Sequence, residues 1–226
     1  MRIVSWNMAQ RGRKTQDFLL SLGPDLALIQ EAILPEEVPG YTKLWTPGLQ
    51  NGTWGSAILS RIGEPEVLWE DNERGAVVLA RCWIDGVGDV TIASLHARLG
   101  PNREGVIRPL RTTFDELRPR LGDRFIVGGD FNTARLLGRV YDKHWGHEEF
   151  WNEIDAWAWD VVFKKLGGEK QSFWRAGLRN ELMDDHILVD EETFELVRDA
   201  SVLDTPEVRG LSDHAPVVVD LAVSRE

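Results

Sequence analysis

The sequence predicts an α/β protein in which β-sheets pack together and helices lie outside them. Three observations carry that prediction. Apolar runs of strand length recur along most of the chain, helical patterns interrupt them in few places, and Gly, Pro, Asn and Asp punctuate the joints. At 226 residues the chain is expected to form a single domain, residues 1–226, with a sizeable core.

Residues 2–7 read as the first strand and 15–22 as a short helix closed by Gly23-Pro24. Asp25 opens a second apolar strand, 26–30, which ends on Glu31. Residues 41–45 and 56–60 read as further strands, with a turn or loop at 51–55 between them. Strands at 67–69, 76–83 and 90–97 extend the series, and Asp85-Gly86 signals a hairpin between the last two. Residues 109–121 are predicted to be helical. A buried strand is predicted at 125–129, where Gly128 and Gly129 let the backbone turn sharply at its end. The longest helical pattern runs over 147–166: Phe150, Ile154, Trp157 and Val161 share a face, and Gly167-Gly168 closes it. Short strands are expected at 171–174 and 186–189, and a last one at 216–221. Internal repeats and low-complexity tracts are absent from the sequence.

Hydrophobic content of 42% and charged content of 28% are ordinary for a globular chain in water. The single cysteine, Cys82, rules out an internal disulfide framework and fits a reducing compartment. Its apolar surroundings predict a small buried hydrophobe. No stretch approaches the ~20 apolar residues that span a bilayer, and Arg2 leads directly into a strand rather than a signal peptide. A cytoplasmic location without membrane contact is the expectation.

A net charge of −11 excludes nucleic-acid binding by bulk electrostatics, which needs phosphates neutralised by Lys and Arg. It suits binding of divalent cations. The charge is unevenly spread: residues 98–124 hold seven arginines against four acids, and 142–163 hold six acids and one lysine. A phosphate-bearing substrate would favour the first segment.

Asp130 and Asn132 stand two residues apart at a strand terminus, presenting a carboxylate and an amide beyond the sheet. Alone, such a Gly-Asp-Phe-Asn fits an ordinary turn equally well. The same placement recurs, however. Asn7, Glu31 and His96 end apolar runs, while Asp185 and Asp213-His214 precede them. If these ends converge, four carboxylates share one pocket with two histidines and two amides. Like charges raise each other's pKa, so such a group needs a cation or strong hydrogen bonds. A hard, oxygen-seeking ion such as Mg²⁺ is the economical answer, bound through one or two carboxylates and substrate phosphate.

In order along the chain stand Ser5-Trp6-Asn7, Ile29-Gln30-Glu31, the strand from Gly55 to Arg61, Ser94-Leu95-His96, Gly129-Asp130-Phe131-Asn132, Asp185-His186-Ile187 and Ser212-Asp213-His214-Ala215-Pro216. Each is weak alone. As an ordered set spanning nearly the whole chain, they resemble the endonuclease/exonuclease/phosphatase superfamily, which includes deoxyribonuclease I, exonuclease III-type repair enzymes and inositol polyphosphate 5-phosphatases. The resemblance implies a four-layer sandwich of two packed mixed β-sheets flanked by helices, and a Mg²⁺- or Mn²⁺-dependent phosphoesterase. It implies Glu31 as the principal metal ligand, with Asn7 beside it and Asp213 completing the metal shell or a hydrogen bond to it. Asp130 would orient or deprotonate the attacking water, and Asn132 would hydrogen-bond the phosphoryl oxygens. His214 would contact the phosphate, oriented by Asp185. His96 would stabilise the transition state or protonate the leaving oxygen. One departure stands out: the family's usual arginine and aliphatic residue before the aspartate are Met183 and Asp184 here.

For substrate contacts, nuclease branches of the superfamily carry an aromatic-plus-Arg segment before the dyad's aspartate, which points to Trp174 and Arg175. Trp145, Trp151 and Trp159 are further candidate stacking platforms, whereas Trp83 and Trp157 are expected in the core. Arg98, Arg103 and Arg108 follow His96 on a Gly- and Pro-rich segment and are expected to grip flanking phosphates, a solvated face being the alternative. His144 and His147 lie near Glu148 and Glu149 at metal-ligand spacing, but surface histidines at a helix start explain them. By position, Glu73 is the nearest acidic candidate for a partner of His96.

The expected activity is cleavage of DNA or RNA, by endo or exo attack of an activated water. One alternative is a phosphatase or phosphodiesterase for an inositol phosphate, nucleotide or lipid head group. Another is a non-catalytic binding protein on the same fold. No obligate protein partner is evident, and a monomer is expected.

Overall fold

Why the chain forms a sandwich is visible in its first strand. Ile3 points to one side and Val4, Trp6 and Met8 to the other, and every residue from Ile3 to Met8 is buried, so the strand needs cover on both sides. The computed structural model describes residues 1–47, 53–71, 77–97, 105–137, 146–174 and 182–223. In chain order the elements are β1 (Arg2–Asn7), α1 (Arg13–Ser21), β2 (Leu26–Ala32), β3 (Thr42–Pro47), β4 (Gly55–Ser60), β5 (Glu66–Asp71), β6 (Val77–Ile84) and β7 (Gly88–His96). There follow α2 (Ile107–Leu117), β8 (Phe125–Asp130), α3 (His147–Asp155), β9 (Trp159–Asp160), α4 (Val161–Leu166), β10 (Asp185–Val189), α5 (Glu191–Glu195), β11 (Val197–Val202), α6 (Pro206–Arg209) and β12 (Val217–Leu221).

The strands form two six-stranded mixed sheets, ordered β11-β12-β1-β2-β4-β3 and β5-β6-β7-β8-β10-β9. Each has one parallel pair at its centre, β1 with β2 and β7 with β8, and antiparallel pairs elsewhere. Strand alternation sorts the side chains into three cores. Ile3, Leu26, Leu28, Val78, Ala80, Ile126 and Val219 meet between the sheets. Val4, Trp6, Ala27 and Ile29 face outward onto Leu19 of α1 and Val208 of α6. Val77, Leu79 and Val127 face the opposite way, onto Leu110 and Phe114 of α2 and Phe150 of α3. The result is four layers, helices outside two packed sheets. No described helix is long and apolar enough to cross a membrane.

Several expected elements change. The pattern over 147–166 is two helices, not one: it breaks at 156–158, β9 follows, and α4 starts afresh. Asp160 causes the restart. It is fully buried against His186, and its carboxylate accepts the Phe163 amide at 3.2 Å as the N-cap of α4. Residues 171–174 are not a strand, since Phe173 makes only isolated bridges to Leu182 and His214. Three elements come without forewarning: the edge strand β11, bulged between Val197 and Asp199, and the short helices α5 and α6, capped by Asp190 and Thr205.

Gly128 and Gly129 do not turn the chain; both lie inside β8. They are needed for close approach. A Cβ at Gly128 would meet Leu28 Cδ1 of the other sheet at 2.6 Å, and one at Gly129 would sit 1.9 Å from the Leu95 carbonyl oxygen. Cys82 is buried as expected, but Trp83 is 65% exposed. Along β6 the even-numbered side chains from Val78 to Ile84 turn inward, so Arg81 and Trp83 face out beyond the helical cover.

Candidate active site

The carboxyl ends of the two parallel pairs meet at one edge of the sandwich, and the antiparallel neighbours β10 and β12 start there. Asn7 ends β1, Glu31 is the penultimate residue of β2, His96 ends β7 and Asp130 ends β8. Asp185 opens β10 directly opposite Asp130, and His214 lies just before β12.

Asp130 is the hub. It is 1% exposed. Its Oδ1 accepts the Asn132 amide at 2.8 Å; its Oδ2 accepts Asn7 Nδ2 at 2.9 Å and Asn132 Nδ2 at 3.2 Å. The Nε2 atoms of His96 and His214 each stand 3.7 Å from that same Oδ2. Asn132 also donates to the Ala97 carbonyl at 2.7 Å, which pins the segment after β8 to the end of β7.

Glu31 reaches the same point from the other sheet. Asn7 Nδ2 stands 3.4 Å and His96 Nε2 3.5 Å from its Oε1, while Gln10 Nε2 donates to Oε2 at 2.9 Å. Register shifts between Ile29 and Ala32, and Glu31 occupies this bulge with φ 47°. The bulge breaks the alternation that would otherwise turn the side chain along the sheet face. Ala9 at 48°, Gln10 at 57° and Asn132 at 50° are the other non-glycine residues of positive φ among those described. All four surround the site, so backbone strain is concentrated there.

The third part is a buried acid–imidazole pair. His214 Nδ1 donates to Asp185 Oδ2 at 2.8 Å, with the two residues 6% and 0% exposed. Trp6 Nε1 fixes the His214 carbonyl at 2.8 Å, the Phe173 ring packs 4.8 Å from the imidazole, and Ser172 Oγ accepts the amides of Asp184 and Asp185. Burial opposes a charge on His214, but the Asp185 and Asp130 carboxylates outweigh it and raise its pKa to about 10. Burial, with the Asp130 charge, pushes the neighbouring Asp184 up to about 7.

Ligand atoms of Asp130, Asp185 and His214 lie within 4.8 Å of one another, and Asp185 Oδ1 is buried with no hydrogen-bond partner among the described residues. A set of two carboxylates and an imidazole with an unsatisfied oxygen accommodates a divalent ion. Glu31 and Asn7, the ligands expected from the sequence, adjoin this group through Asp130. The side chain of Asp213 is exposed on the turn before His214, and its carbonyl accepts the Trp174 amide at 3.0 Å.

Among expected substrate contacts, Arg108 is exposed at the start of α2. Trp174 is half-buried, with the Arg209 guanidinium 5.0 Å above its ring. Arg98, Arg103 and Arg175 lie outside the described residues, as do Glu73, His144 and Trp145. Trp151 is buried between Arg135 and His186, and Trp159 stacks on Phe194. His147 is not a surface residue: it is 4% exposed and its Nδ1 lies 2.6 Å from Thr133 Oγ1.

Three features had no sequence signal. Gln10 holds Glu31 from a strained backbone. Trp54 packs edge-on against His96 at 5.7 Å. Behind the site His186 bridges Asp160 at 2.9 Å and the Thr133 carbonyl at 3.1 Å, tying β10 to the segment that carries Asn132. Burial opposes charge on His186, but Asp160 overrides it and raises its pKa.

The fold has close counterparts among solved structures. An apurinic/apyrimidinic (AP) endonuclease from Archaeoglobus fulgidus matches with a TM-score of 0.75 at 19% identity, over 99% of this chain and 100% of its own. A 3'-5' exonuclease from Neisseria meningitidis matches with 0.73 at 22% identity, over 98% and 99%. A protein from Beutenbergia cavernae described as endonuclease/exonuclease/phosphatase matches with 0.72 at 14% identity, over 99% and 71%. Among curated protein sequences, none matches this chain. The model of the Endonuclease/Exonuclease/phosphatase family matches residues 4–214, which takes in every polar strand end described above. The chain therefore belongs to the endonuclease/exonuclease/phosphatase family, and its site is that of a metal-binding phosphoesterase.

Proposed function

We propose that the protein is a Mg²⁺- or Mn²⁺-dependent nuclease that hydrolyses phosphodiester bonds of DNA or RNA by in-line attack of water. One observation carries the reading: Asn7, His96, Asn132 and His214 converge on one Asp130 oxygen, and Glu31 and Asp185 join the cluster through Asn7, His96 and His214, so that six separate segments meet at one point. Supporting the choice of nucleic acid, the Archaeoglobus relative is described as an AP endonuclease, and a structure of the Neisseria enzyme as a 3' phosphatase bound to a product DNA hairpin. Trp54 beside His96 offers an aromatic surface to a base or sugar.

Glu31 and Asn7 would hold the ion on one side, with the Asp130 and Asp185 carboxylates as the adjoining donors and Asp213 at the rim. When bound, a divalent ion supplies Lewis acidity that offsets charge on a phosphate oxygen. The residues do the rest. Asp130, held by three hydrogen bonds, orients the water and takes its proton as the water oxygen bonds to phosphorus. The protonated His214, held by Asp185, donates from Nε2 to a phosphoryl oxygen as negative charge builds there. Asn132 contributes its amide to the same oxygens. The phosphorus–oxygen bond to the leaving sugar breaks, and His96 protonates that oxygen. Arg98, Arg103, Arg108, Trp174 and Arg175 are proposed to contact the flanking strand. The same reading takes the chain as a single-domain monomer in a reducing, cytoplasmic compartment, supported by the lone buried Cys82.

The test is hydrolysis of duplex DNA, single-stranded DNA, RNA and a panel of small phosphoesters with Mg²⁺, Mn²⁺ or EDTA. Asp130→Asn and His214→Ala proteins run alongside. Metal-dependent polymer cleavage absent from both variants is the expected result. Cleavage of small phosphoesters alone would replace the nuclease reading with a phosphatase one.

A further inference from the structure

Gln10 is out of place by the ordinary rules of backbone conformation. Its φ of 57° and that of Ala9, 48°, put two consecutive side-chain-bearing residues in the left-handed region. There Cβ crowds the neighbouring carbonyl, and glycine is the residue that relieves the crowding. The loop does not compensate through main-chain bonding alone. Gln10 N donates to the Glu31 carbonyl at 3.1 Å and Met8 N to the Gln30 carbonyl at 2.9 Å, bonds that a glycine at position 10 would keep. What only the glutamine adds is the bond from Nε2 to Glu31 Oε2 at 2.9 Å.

That bond has a directional consequence. Glu31 rises from a bulge, itself at φ 47°, and its side chain is 21% exposed, so its carboxylate is oriented by the polar groups that touch it. Gln10 holds Oε2 on the outer side. Oε1 is thereby turned inward, 3.5 Å from His96 Nε2 and 3.4 Å from Asn7 Nδ2. Groups that fix the orientation of a ligating carboxylate change metal affinity about 10–100-fold when removed.

We infer that Gln10 is a positioning residue for Glu31: it accepts a strained backbone so that its amide can aim the carboxylate at the divalent ion. This rests on the reading that Glu31 holds that ion. A residue kept for structure would cost stability when replaced, whereas Gln10→Gly removes strain along with the amide.

The experiment uses the whole chain with Mn²⁺ as probe. Binding is followed by the paramagnetic resonance signal of free Mn²⁺, and thermal melting in EDTA is measured beside it, for wild type, Gln10→Gly, Gln10→Ala and Glu31→Gln. The expected result is Mn²⁺ affinity about 10-fold weaker in both Gln10 variants, with Gln10→Gly melting in EDTA no lower than wild type. Lost affinity in Glu31→Gln beside unchanged affinity in both Gln10 variants would overturn this inference and leave the ligand assignment standing. Unchanged affinity in Glu31→Gln would remove the ligand assignment and the inference together. A Gln10→Gly protein that melts markedly lower in EDTA, with normal affinity, would make Gln10 a structural residue.

Discussion

The two sheets are built to the same plan and finish differently. Both run antiparallel, antiparallel, parallel, antiparallel, antiparallel from β11 to β3 and from β9 to β5. At the shared edge, the first sheet offers Asn7 and Glu31, and the second offers Asp130 and His96. The Glu31 side is partly exposed, strained at three of its residues and held by neutral amides. The Asp130 side is buried and adds charge to its amide bonds, through His214 and Asp185. Two ways of fixing a carboxylate thus operate within one site. Amide contacts orient without demanding charge balance, while buried charges are stable only as a set.

That contrast can be broken at the buried side first. Asp130→Asn should lower turnover about 10²–10⁴-fold with the fold retained, measured as single-turnover cleavage beside circular dichroism. His214→Ala strands Asp185 without its partner and should cost about 3–5 kcal/mol in urea unfolding, as breaking a buried pair does. A loss below about 1 kcal/mol, the range of an exposed pair, would show that charge does not hold this side together. Glu31→Gln is the sharpening case. On the amide-held, partly exposed side it should change stability in EDTA by about 1 kcal/mol or less while removing metal-supported activity.

The charge on the buried side can also be read from pH dependence. His214 in the fold is raised to about 10, above its ordinary 6.5. Its contribution to stability is therefore fully present below about 6.5 and is lost as pH rises through about 10. Urea midpoints of the metal-free protein should fall across that window, and His214→Gln should flatten the decline.

Seven of the residues at the hub were legible because each is a polar residue at or beside the end of an apolar run, a position that needs no knowledge of partners. The strained side was less legible. Nothing in Met8-Ala9-Gln10 announces a left-handed backbone, because glycine is its usual signal and no glycine is present. Asp160 and His186 escaped for another reason: they are 26 positions apart, and His186 reads as one more residue of β10. The break between α3 and α4 belongs to the same pair, since helical periodicity continues through Asp160 and only its burial against His186 interrupts it. Trp83 shows the opposite error. Its hydrophobicity suggested the core, but the period of β6 put it on the outer face of the sheet, beyond the end of the helical cover.

The central claim is that both sides act on one phosphate, and a double-mutant cycle tests it most directly. Single-turnover cleavage of duplex DNA at saturating Mn²⁺ would be measured for wild type, Glu31→Gln, Asp130→Asn and the double variant. If the carboxylates work as a unit, the double variant should be scarcely slower than the slower single one. Losses that add in free energy would mean that the two sheets contribute independently, and the account of one shared site would fail.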